Sequence, residues 1–208
     1  MPAFQTLLAF FGVSVLLALA PGPDNVFVLL HSAVHGRKAG MLVVLGLCTG
    51  LLVHTAAVVL GLAAVFAASA AAFTGLKLCG AAYLVFLAWQ SFRAPVGIAA
   101  AANDEAMLPL RTYGRGILMN VTNPKVAIFF LAFLPQFTRP GAGHVAIQMI
   151  CLGGVFILAT LVTFCAIACF AEMIGNALKR SVRVQQAMNR VAGTVFLALA
   201  VRLAIQRR

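Results

Sequence analysis

Ala20-Pro21-Gly22-Pro23-Asp24-Asn25-Val26-Phe27-Val28-Leu29, near the front of the chain, and Asn120-Val121-Thr122-Asn123-Pro124-Lys125-Val126-Ala127-Ile128-Phe129, in its middle, share one punctuation. Each lies inside a long apolar run. Each interrupts that run with proline, sets one charged residue directly after the proline, and then returns to apolar residues. Proline lacks the N–H that a helix interior needs, and its ring clashes with the preceding turn. Pro21-Gly22-Pro23 and Asn123-Pro124 are therefore expected as helix breaks.

The surroundings make these breaks matter. The chain has 208 residues, of which 63% are hydrophobic and only 9% charged, with mean hydropathy +1.05. Soluble domains are nearer half apolar and about a quarter charged, so a soluble enzyme and a disordered chain are both excluded. Six apolar blocks stand out, at 4–34, 40–66, 71–92, 114–137, 144–171 and 187–205. They are continuous runs rather than alternating strands of about ten residues, which selects helices over a barrel. The expected fold is an all-α membrane protein with six transmembrane helices. The matching breaks divide it into two three-helix repeats, 1–92 and 114–208, joined by a loop at 93–113 inside one transmembrane domain. Two copies with an odd number of spans must be inverted, with helices 1 and 4 interrupted. Interrupted segments at corresponding places in two halves point to a transport site.

The net charge of +11 does not mean nucleic acid, because the bases are scattered between apolar runs. Nine Lys and Arg (Arg37, Lys38, Arg93, Arg111, Arg115, Lys179, Arg180, Arg183 and Arg190) fall on one set of loops. Five (Lys77, Arg139, Arg202, Arg207 and Arg208) fall on the other. The positive-inside rule then places both termini outside, in the periplasm of a cell that has one. Residues 1–23 carry no basic side chain, so the first block is expected to be retained rather than cleaved as a signal peptide. Cys48, Cys79, Cys151, Cys165 and Cys169 lie within apolar runs without a C-x-x-C, which suits buried thiols and no disulfide framework. Gly46, Gly50, Gly153, Gly154 and Gly193 are expected to let helices approach closely, and such faces also permit a homodimer.

Two charges remain, one of them far from either end of its block. Lys125 lies between Arg115 and Arg139, about mid-membrane at ~1.5 Å per residue. A charge there costs about 2.5–3.5 kcal/mol on insertion scales, so it should face the interior with a partner. Asp24 is either deep or a helix N-cap nearer the interface. An acid and a base at equivalent places suit a zwitterion. Asp24 would take an ammonium; Lys125 and a half-helix N-terminus would take a carboxylate; Asn25, Asn120 and Asn123 would add neutral hydrogen bonds. The alternative is a structural Asp24–Lys125 ion pair. His54, alone in a charge-free block, is either a proton-relay group working with Asp24 or an interhelical hydrogen bond. His31 and His35, beside Arg37 and Lys38, are expected at the membrane interface, with no metal bound. Tyr83, Trp89 and Phe92 are expected to pack or sit at interfaces, and Gln136 and Glu172 to be solvated. Nothing implies a cofactor. No paired-acid, H-E-x-x-H or G-x-S-x-G motif supports an enzyme.

At these residues the sequence resembles the LysE/RhtB family of amino-acid exporters. The resemblance is carried by Pro21-Gly22-Pro23-Asp24-Asn25, Gly36-Arg37-Lys38-Ala39-Gly40, Gly80-Ala81-Ala82-Tyr83-Leu84, Asn120-Val121-Thr122-Asn123-Pro124-Lys125 and the run from Phe130 to Phe137, in family order over essentially the whole chain. It implies an inner-membrane exporter of an amino acid or close derivative, driven by the proton gradient. Members differ among basic amino acids, homoserine and threonine, leucine-like and cysteine-like substrates. With no further deep acid to read a cationic side chain, a neutral amino acid is favoured. The competing expectation is a divalent metal-ion transporter of a related membrane family, using Asp24 and the histidines.

Overall fold

The computed structural model describes residues 2–205 apart from 21, 69, 94–107, 140, 142, 172 and 174–180. Pro21, the stretch with Asp104 and Glu105, Glu172, Lys179, Arg180, Arg207 and Arg208 lie outside the described residues, as do the side chains of Lys77 and Arg202.

The chain forms α1 (Phe4–Leu19), α2 (Pro23–His35), α3 (Arg37–Ala68), α4 (Ala70–Arg93), α5 (Pro109–Val121), α6 (Pro124–Ile128), α7 (Val145–Cys169) and α8 (Val182–Ile205). α6 runs on through a π-helical turn, Phe129–Phe133, and a 3₁₀ turn, Leu134–Phe137. No strand occurs among the described residues. Arg37–Gly61, Val145–Cys169 and Gln185–Ile205 are long and apolar enough to cross a membrane. The pairs α1–α2 and α5–α6 each pass the same test when taken together, bent by 65° and 49° at their breaks, giving three spans or up to five. The apolar blocks of the sequence thus reappear as helices or bent helix pairs. α5 starts earlier than its apolar block, because Pro109 takes the first helical position, where its missing N–H costs nothing.

Both breaks are built alike. Gly22 and Asn123 are the N-caps, each in an extended conformation, which the proline that follows enforces. Pro23 and Pro124 open the next half-helix, so Asp24 and Lys125 occupy the same second helical position.

Apolar packing forms two clusters. The larger gathers Phe10, Leu51, Leu84, Phe129, Phe130, Phe133, Leu152, Phe156 and Phe196. The smaller holds Val28, Val43, Val44, Leu47, Phe164 and Ala168. On α3 the buried residues Val43, Leu47, Leu51 and Val58 follow a helical face, while Leu45, Leu52, Val53 and Leu60 are exposed. In a bilayer that outer face meets lipid tails, so association relies on close packing at small residues. A Cβ on Gly116 would lie 2.6 Å from Val43 O, and one on Gly50 2.7 Å from the Asn120 side chain. α3 and α5 therefore touch backbone to backbone. Gly153 meets Thr55 and Gly193 meets Phe92 in the same way. Gly154 does not: nothing lies within 4 Å of its would-be side chain, because it points out of the bundle.

Candidate functional site

The two breaks meet inside the bundle. Asp24 is 3% exposed, Asn120 2%, Asn123 3% and Lys125 6%. Asn123 joins them. Its Oδ1 accepts from the Lys125 backbone N–H at 3.0 Å, capping α6. Its Nδ2 donates to Asp24 Oδ2 at 2.8 Å. Lys125 reaches the other way: Nζ donates to Leu17 O at 3.3 Å and Ala20 O at 3.2 Å, the carbonyls released where α1 ends. Asn25 Nδ2 donates to Ala18 O at the same end. The first break is thus completed by groups from the second. Among the described residues the hydrogen bonds of Asp24 and Lys125 run to Asn123 and to carbonyls, not to one another.

Gly22 fits this arrangement by size. Its φ of −170° is open to any residue, but an added Cβ would stand 3.0 Å from Lys125 Nζ.

A small cavity of about 10 Å³, on the order of one water, opens at this junction. Asp24, Asn120, Lys125 and Thr160 line it together with Leu17, Phe156 and Phe164. Asp24 Oδ1, Asn25 Oδ1 and Asn120 Oδ1 are buried and have no hydrogen-bond partner among the described residues. Leaving a buried acceptor unmet costs roughly 1–3 kcal/mol. All three are oxygens, so the site is short of donors and suits a group rich in N–H.

The start of α6 differs from expectation. It offers no free N–H to an anion: Lys125 N is held by Asn123 Oδ1, and Val126 N and Ala127 N by Asn123 O. Pro124 has none to offer. Any anion contact in this half must therefore come from side chains.

His54 is 9% exposed, and its Nε2 lies 3.1 Å from Asn120 O, immediately ahead of the second break. Its ring stands 5.7 Å from that of Phe130. His31 is 4% exposed and packed between Phe27 and His35, with ring centroids 5.3 and 4.6 Å away. Its neighbours on α3 and α7 cover that face of α2. No group of three or more His, Cys, Asp or Glu among the described residues could hold a metal ion. Gln136 is half-buried and bonds Ala132 O. Tyr83, Phe86 and Trp89 form a ladder on α4, with Arg93 over Trp89 at 4.9 Å.

Two residues and one contact were not foreseen from the sequence. Thr160 lines the cavity; a lone hydroxyl in an apolar block was its only signal. Gln148, 1% exposed, clamps the preceding loop through Arg139 N and O and Gly143 O. Arg115 lies over the Phe27 ring at 4.8 Å, tying α5 to α2, and no local pattern announces it.

The family described as LysE type translocator matches residues 15–207. The homoserine/homoserine lactone efflux protein of Salmonella typhimurium (strain LT2) is 33% identical over 204 residues, 98% of each chain. The protein of the same name from Salmonella typhi is 32% identical over the same share of both chains. The uncharacterized membrane protein YrhP of Bacillus subtilis (strain 168) is 29% identical over 95% of this chain and 98% of its own. No solved structure matches.

Proposed function

This chain belongs to the family of LysE-type translocators, and on that premise we propose that it exports an amino acid or a close derivative across the inner membrane by alternating access around its two helix breaks. It is a membrane transporter and not an enzyme. The observation that carries the site assignment is the buried junction of the breaks: an acid, a base and, on Asp24 and Asn120, two unmet acceptor oxygens lining one cavity.

In this reading the substrate ammonium donates to Asp24 Oδ1 and Asn120 Oδ1, which have no other donor. Two of the three Lys125 N–H bonds go to carbonyls. The third is left for the substrate carboxylate, since a lysine carries three donors. Leu17, Phe156 and Phe164 give the side chain an apolar wall, which favours a neutral amino acid. The names of the Salmonella relatives, which specify homoserine and its lactone, support that class. Substrate arrival replaces the bonds that join the breaks, so the halves 1–92 and 114–208 move against each other. α4 supplies the sixth span, the halves are inverted, and both termini lie in the periplasm. Export is driven by the proton gradient, with His54 and Asp24 as the relay.

Asp24→Asn and Lys125→Met should each abolish export of the amino acid to which overexpression confers tolerance, while protein remains in the membrane. Normal export by both variants would remove the junction from the transport path.

A further inference from the structure

The end of α1 is an unusual place for a lysine head group. The last carbonyls of a helix carry partial negative charge and lack intrahelical partners. In hydrocarbon they need a donor or a cation. The second break solves the same problem locally. Leu118 O, the counterpart of Leu17 O six residues before the proline, accepts from Thr122 N at 2.9 Å and Thr122 Oγ1 at 2.7 Å. Asn120 O accepts from Asn123 N and lies beside His54 Nε2. At the first break no hydroxyl does this work. Leu17 O and Ala20 O converge instead on the Lys125 ammonium. The carboxylate of Asp24, with Oδ1 unpartnered, lines the same cavity. Gly22 leaves the approach open. Two buried backbone carbonyls, with a buried carboxylate lining the same cavity as counter-charge, suit a small monovalent cation, since hard cations take oxygen donors.

We propose that Leu17 O and Ala20 O, with the Asp24 carboxylate as counter-charge in the same cavity, form a monovalent-cation site that the chain fills with its own Lys125 ammonium, and that a free cation enters when this side chain is shortened. The tethered charge holds the end of α1 against the second break without any dissolved ion. Wild-type export therefore needs no sodium. Lys125 acts first as a positioning residue for the first break. The inference concerns the junction already assigned to transport, and it rests on that reading only for its consequence in export.

The test is cation binding by the purified full-length chain in detergent. Thermal unfolding of wild type, Lys125→Ala and the Asp24→Asn/Lys125→Ala double variant is followed against sodium chloride, methylammonium chloride and N-methyl-D-glucamine chloride at equal ionic strength. Lys125→Ala should gain a saturable rise in Tm, on the order of 2–4 °C, with sodium or methylammonium but not with the bulky cation. Wild type and the double variant should gain none. Lys125→Ser, which also vacates the carbonyls, gives the same readout where the alanine variant folds poorly. Identical responses of Lys125→Ala to all three salts would overturn the proposal, and so would an equal sodium response in the double variant. Export by the same variants is read separately. Sodium binding with normal export upholds the cation site and removes Lys125 from the substrate path. Lost export without cation binding upholds the transport site and overturns this inference.

Discussion

Replacing Asn123 separates two roles that one side chain combines. As N-cap it accepts from Lys125 N, a contact whose loss costs about 0.5–2 kcal/mol. As donor it serves the buried Asp24 carboxylate, and a hydrogen bond to a charged group contributes about 1.5–3 kcal/mol. Asn123→Ala loses both, roughly 2–5 kcal/mol; the two bonds share an amide, so the lower half of that range is expected. At roughly 2–4 °C per kcal/mol for a chain of this size, Tm falls by at least ~4 °C. Asn123→Asp keeps the cap but sets a second carboxylate where the donor stood, 2.8 Å from Asp24 Oδ2. It should be no more stable than the alanine variant. The Asp24→Asn/Asn123→Asp double variant reverses the pair: position 24 now supplies the amide and position 123 the carboxylate. It should regain most of the lost Tm. Export should stay low, because the carboxylate has moved from the first break to the second. Thermal unfolding in detergent and export from cells read the two properties separately. If Asn123→Asp melts with wild type, or the double variant is no more stable than Asn123→Asp, the bridge does not hold the breaks together.

Gly116→Ala forces a methyl against Val43 O and Gly46 Cα, both backbone atoms that cannot turn aside. Overpacking of this kind costs about 1–3 kcal/mol, and Tm and export should fall together. Gly154→Ala, which meets nothing within 4 Å in the middle of α7, is the control: it should not lower Tm and gains up to about 1 kcal/mol from helix propensity. His54→Gln retains a donor for Asn120 O but cannot relay a proton. It should lose net export driven by the proton gradient while keeping substrate exchange in vesicles, and equal loss of both would confine His54 to a packing role.

How much of this was legible in the sequence follows from physical range. The breaks were, because proline acts on its own helix turn and needs no tertiary context. The helices were, because continuous apolar runs in a chain so poor in charge have few other solutions. The pairing was less so. Asp24 and Lys125 stood out as deep charges at matching places, yet nothing local says that Asn123 would bridge towards one and that carbonyls would take the other. Those choices depend on side-chain reach across the junction. The π turn at Phe129–Phe133 also has no signature in the run. The burial of His31 was hidden for the same reason: its basic neighbours in sequence say nothing of how α2 packs, and the fold turns its ring inward. Gln148 and Thr160 carry no charge, so hydropathy passed over them.

The asymmetry of the junction bears on why one break carries an acid and the other a base. A helix break in lipid leaves carbonyls on one side and a cap to be filled on the other. At the second break Asn123 fills the cap and Thr122 serves the carbonyls. At the first break Gly22 caps with no side chain, and α1 keeps open carbonyls. The second break lends what the first lacks, a cation for the carbonyls and a donor for Asp24. In the proposed cycle, parting the two breaks must replace the two bonds from Lys125 and the one from Asn123 to Asp24, besides the His54–Asn120 contact. A zwitterion brings an ammonium with three donors and a carboxylate that can draw Lys125 away from α1. A simple cation brings only the first, and a simple anion only the second. In the proposed cycle, therefore, the substrate that loosens the junction is one that carries both groups.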